Sequence, residues 1–75
     1  MLIISKNEEL IANLDNIYDI SMLREGDGVH IYCNKNQGMT RDLGCYRDDE
    51  RCKKILTEII NYYCTGKKVY YMPEE

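Results

Sequence analysis

The hydrophobic pattern of this chain changes period once, from two to 3.6, and that change constrains what it can fold into more than any other feature. After Asp48, apolar residues recur at Cys52, Ile55, Leu56, Ile59, Ile60, Tyr63 and Cys64. This is the i, i+3, i+4, i+7 spacing of one helical face. Arg51, Lys53, Lys54, Glu58 and Asn61 fall largely off that face. Asp48 suits an N-cap, and Asp49 and Glu50 place negative charge in the first turn. Gly66, followed by Lys67 and Lys68, suits the C-terminal end.

Ahead of Asp48 the pattern is that of strands and turns. Residues 2–5 read as a short strand, 6–9 as a polar turn and 10–14 as a second strand closed by Asp15 and Asn16. Residues 17–24 read as a third strand. Glu25-Gly26-Asp27-Gly28 is the strongest turn signal, because its glycines supply positive φ for a tight hairpin. In residues 29–33, Val29, Ile31 and Cys33 share one face, and His30 and Tyr32 the other. Residues 34–38 form a second turn cluster, and residues 40–46 return as a strand with Leu43 and Cys45 on one face. Gly44 within that strand marks a bulge or a close backbone approach. A last short strand is expected at 69–72, ended by Pro73. One helix with an apolar stripe needs a surface to cover, and a meander needs one face covered. The expected fold is therefore α+β: a small antiparallel β-meander of four to five strands, packed by one C-terminal α-helix, with a short final strand. At 75 residues the chain makes one domain. Ordering it costs on the order of 110 kcal/mol at ~1.5 kcal/mol per residue. A single small core offsets that narrowly, which favours self-association.

Composition narrows the function. No apolar run approaches a membrane span, and Leu2-Ile3-Ile4 is too short for a secretory signal, so a cytoplasmic location is expected. Reduced thiols follow from that location. Cys33, Cys45, Cys52 and Cys64 lack the close pairing of structural zinc sites and read as small core hydrophobes. No metal or cofactor is expected. His30 is the only histidine, and its facing parity opposes that of Cys33, which disfavours a Cys33–His30 dyad. Asp48, Asp49 and Glu50 are accounted for by helix capping. No catalytic constellation is read, and no enzymatic activity is expected. The net charge is −3, and the basic residues between Arg41 and Lys54 are interleaved with Asp42, Asp48, Asp49 and Glu50. That balance argues against binding of extended nucleic acid.

Tyrosine is the most unusual component: seven Tyr, no Phe and no Trp. Tyrosine favours half-buried sites and is enriched at interfaces. The candidate binding residues are Tyr32 and His30 on the open strand face, Arg47 and Arg51 as an anion site, and Tyr70 and Tyr71 on a terminal strand able to pair with another copy.

Several segments together carry a resemblance: Asn13-Leu14-Asp15-Asn16-Ile17, Leu43-Gly44-x-Tyr46, Glu50-Arg51, Ile55-Leu56-x-Glu58-Ile59 and Tyr71-Met72-Pro73-Glu74. In order and spacing the chain resembles a family of short Firmicutes proteins, many of them carried by prophages and other mobile elements. Cys52 departs from the alanine expected there. The resemblance implies a small β-rich domain with a C-terminal helix, and it supplies no active site. Its setting implies an accessory protein that binds a host factor stoichiometrically as a homo-oligomer, in the role of an anti-defence inhibitor. The alternative is an oligomer that sequesters a small nucleotide ligand.

Overall fold

A computed structural model describes residues 1–35 and 40–75. The elements are β1 (Leu2–Ile4), β2 (Ile11–Asn13), a 3-10 turn (Leu14–Asn16), β3 (Asp19–Glu25), β4 (Gly28–Asn34), β5 (Thr40–Tyr46), α1 (Asp49–Cys64) and β6 (Val69–Tyr71). The fold is α+β, with a β-meander and a C-terminal helix. The part of the expected 34–38 turn beyond Lys35 lies outside the described residues. The meander is β3-β4-β5, antiparallel throughout. Of the β3–β4 turn residues only Gly26 takes positive φ, +57°, as a two-residue type II′ connection requires.

The strands before β3 do not extend this meander. β1 and β2 form an antiparallel pair, and β6 adds to the other side of β1 in parallel, giving a second sheet of order β2-β1-β6. The 3-10 turn redirects the chain between the sheets; the Asn13 side chain accepts from the Asp15 N–H to start it. Lys6 N–H donates to the Leu43 carbonyl at 2.8 Å and ties β1's end to β5.

The β4–β5 register slips between Ile31 and Tyr32. Gly44 pairs with Ile31, and Asp42 with Tyr32, leaving Leu43 as the extra residue of a bulge. The expectation that Leu43 and Cys45 share a face is thereby corrected. The bulge reverses side-chain parity, so Leu43 and Tyr46 both turn into the core while Cys45 joins His30 on the outer face. Gly44 is also a close approach: a Cβ there would lie 3.0 Å from both the Lys6 Cβ and the Tyr46 ring.

Helix α1 is capped as its ends predict. The Asp48 carboxylate accepts from the Arg51 N–H at 2.9 Å. At the other end, Gly66 N–H donates to the Tyr63 carbonyl and Lys67 N–H to the Tyr62 carbonyl, a Schellman motif with Gly66 at φ +77°. The buried stripe is narrower than the sequence suggests. Cys52, Ile55 and Ile59 are buried and Tyr62 packs beside them, whereas Ile60 and Tyr63 are more than half exposed and Cys64 is exposed. The helix thus meets the sheets along one line of side chains at 3–4 residue spacing. The inward faces of both sheets join it in one core: Ile3, Ala12 and Tyr70 from β2-β1-β6, and Val29, Ile31, Cys33, Leu43 and Tyr46 from the meander. No helix among the described residues is long and apolar enough to cross a membrane.

Candidate interaction surfaces

The sequence-predicted residues fall in three places rather than one. His30 and Tyr32 stand on the outer face of the meander, because β4 alternates and its odd-numbered residues fill the core. Their rings stack, with centroids 5.6 Å apart and planes 13° from parallel. His30 Nδ1 lies 2.8 Å from the Asp42 carboxylate, and the Tyr32 hydroxyl donates to Glu25. Each ring is therefore held from β3 or β5, and both are half-buried. Leu23, opposite His30 on β3, lies beside them and is 53% exposed. The sequence did not single out Leu23, because the 17–24 segment carries apolar residues on both faces.

Cys45 also stands on this face, directly opposite His30. It is the thiol that parity arguments about Cys33 overlooked. Its sulfur leans over Gly28, where a Cβ would come within 2.6 Å. The His30 ring is engaged with Asp42, and no hydrogen bond joins ring and thiol among the described residues. Cys33 lies in the core, on the far side of the sheet from His30. Burial pushes the Cys33 and Cys52 thiols up, so neither is a ready nucleophile.

Arg47 and Arg51 do come together, with Lys6, around a cavity of about 350 Å³ at the start of α1. Their charge is largely engaged by the chain itself. Lys6 Nζ donates to the Cys45 carbonyl at 2.7 Å and sits 4.6 Å from the Tyr46 ring centroid. Arg51 Nε donates to the Glu75 carbonyl at 2.7 Å, and Arg47 Nε lies 3.4 Å from Asp48. Glu74 and Glu75 border the same cavity, which leaves little uncompensated positive charge for a phosphate. A wider cleft of about 570 Å³ opens beside it, between the β3–β4 turn and the helix start. It is bordered by Asp27, Asp48, Asp49 and Glu50, and Arg24 pairs with Asp49.

Tyr70 and Tyr71 point in opposite directions, as neighbours on a strand must. Tyr70 is 2% exposed. Its ring meets Tyr62 edge-on at 4.9 Å, and its hydroxyl donates to Glu58 at 2.7 Å. The expectation that Tyr70 belongs to a binding surface is corrected: it is a core residue, buried because β6 lies against α1. Tyr71 is 66% exposed and stands on the outer face of β2-β1-β6. With it stand Leu2, Ile4, Ile11 and Val69, which sequence reasoning missed because three-residue strands show no alternation.

The buried and bonded phenols set an alkaline limit on the fold. Burial pushes Tyr46 up to about 12 from its ordinary 10.0, with its hydroxyl donating to the Pro73 carbonyl at 2.6 Å. The hydrogen bond to Glu25 is the main cause that raises Tyr32 to about 12. A phenol whose pKa is raised by folding stabilises the fold in full below its unfolded value, and that stability is lost as pH rises through the folded value. Stability in urea is therefore expected to begin falling above about pH 9, where the Cys33 and Cys52 thiols ionise in the unfolded chain, and to fall more steeply between pH 10 and 12, where the phenols do. A stability curve flat to pH 12 would contradict this.

Compared with known protein families, with curated proteins and with solved structures, the chain matches none.

Proposed function

We propose that this chain is a non-enzymatic accessory protein that acts by stoichiometric binding to a partner protein, and does so as a homo-oligomer. In the mobile-element setting to which its sequence resemblance points, the partner is a host factor and the role is to counter host defence. The observation that carries the reading is the outer face of the meander. The three-stranded meander presents the stacked His30–Tyr32 pair with Leu23 beside it, framed by the carboxylates of Asp19, Glu25 and Asp42. An aromatic and apolar centre within a charged rim is the anatomy of a protein interface. The complementary surface is an apolar pocket with basic groups around it.

The immobilised full chain is expected to retain one host protein at a fixed ratio to itself. Tyr32→Ala and Leu23→Asp should each weaken that retention about thirtyfold, as for a residue central to an interface. Both side chains lie outside the core, so far-ultraviolet circular dichroism should not change. Retention of nothing above background, or equal retention by both variants, would refute the assignment. In the setting proposed, wild-type protein expressed in a defended host should restore phage plaques, and the two variants should not.

A further inference from the structure

The β2-β1-β6 sheet is covered on one face only. Its inward row, Ala12, Ile3 and Tyr70, is buried in the core. Its outward residues form two rows across the sheet, Ile11–Ile4–Tyr71 and Asn13–Leu2–Val69. Five of these six side chains are apolar or aromatic, and none is a carboxylate or an amine. Ile11 is 64% exposed and Tyr71 66%. The central strand β1 is apolar on both faces, which is the pattern of a strand covered on both sides. The chain itself supplies one cover.

We infer that the second cover is the same face of a second copy of this chain, with two three-stranded sheets stacked about a two-fold axis. Charge selects this occupant. The protein carries a net charge of −3, so two copies repel wherever carboxylates meet. The outer face of the meander would set Asp19, Glu25 and Asp42 against their own copies, and the cleft at the start of α1 is bordered by four acidic residues. The β2-β1-β6 face has no such penalty, and a two-fold contact needs a surface that complements itself. From strand spacing and rise the face measures roughly 14 by 10 Å. A standard interface covers about 800 Å² on each partner, several times this face, so the contact is weak and the dimer forms only at high concentration. The inference deepens the oligomeric part of the proposed function and rests on that reading; partner capture stands or falls separately.

Sedimentation equilibrium of the full chain over a concentration series tests it. Wild type is expected to rise from one subunit mass to two. Ile11→Glu brings two like charges into the contact and is expected to weaken association by about a hundredfold. Ile60→Glu alters a comparably exposed apolar residue on α1, away from both sheets' outer faces, and should associate like wild type. A wild type of one subunit mass throughout, or an Ile11→Glu variant that dimerises as wild type does, overturns the inference. So does a monomeric wild type that captures a partner protein which Ile11→Glu cannot, because the face then belongs to that partner. A wild type that dimerises through this face yet captures no host protein upholds the inference and overturns the partner-binding reading.

Discussion

Tyr70→Ala is expected to destabilise the fold by about 3–5 kcal/mol, the range for removing a buried aromatic side chain. A chain of this length has roughly 4–11 kcal/mol in total, so the variant loses a large share of its stability. The effect comes from position. Tyr70 is the point where β6, α1 and β1 converge: its ring lies edge-on to Tyr62, its hydroxyl reaches Glu58, and Ile3 is its neighbour in register. Tyr70→Phe keeps the ring and loses one hydrogen bond to an exposed carboxylate, which should cost about 0.5–1.5 kcal/mol. Tyr71→Ala, one residue on and on the outward face, should stay within about 0.5 kcal/mol of wild type. Urea unfolding of the three variants, compared at unchanged m-value, reads the series. Equal losses at Tyr70 and Tyr71 would mean that β6 does not dock as described.

That contrast shows where sequence reasoning ran out. Neighbours on a strand must face opposite ways, so only one of the two candidates Tyr70 and Tyr71 could stand outside; α1, packed against β6, decides which. The meander was legible because its strands are long enough to alternate. Val29, Ile31 and Cys33 against His30 and Tyr32 fix the faces of β4, and Gly26 fixes the hairpin. The ends of α1 were legible because Asp48 and Gly66 act locally. The β2-β1-β6 sheet was not legible. Leu2-Ile3-Ile4 is apolar at every position, and its parallel pairing with Val69–Tyr71 joins segments far apart in sequence, which no local pattern encodes. Gly44 signalled the bulge, but the reversal of parity that follows from it moved Cys45 to the His30 face and left Leu43 inside. Of the candidate surface, His30 and Tyr32 were readable from parity alone. Leu23 needed the register, and Ile11 needed the second sheet.

Ile31→Ala is the complementary test, because it removes the centre of the meander and spares the second sheet. Ile31 is fully buried on the middle strand. Its register partner on β5 is Gly44, which offers no side chain of its own. Gly44 cannot move in to close the cavity. The adjoining Leu43 carbonyl accepts from Lys6 N–H at 2.8 Å, and the Lys6 and Tyr46 side chains already crowd Gly44. A site that cannot collapse loses the transfer energy and keeps the void, so the cost belongs at the upper end of the 2–5 kcal/mol range, about 4–5 kcal/mol. At roughly 4–8 °C per kcal/mol for a domain of this size, the melting temperature should fall by tens of degrees. Ile31→Val, which keeps most of the volume, should lose only about 0.5–1.5 kcal/mol. The consequence reaches the proposed contact surface, since Ile31 lies between His30 and Tyr32 on the same strand. Thermal melts followed by circular dichroism separate the cases. An Ile31→Ala variant no less stable than Ile31→Val would mean that β5 closes over the void and that the bulge at Leu43 is pliable.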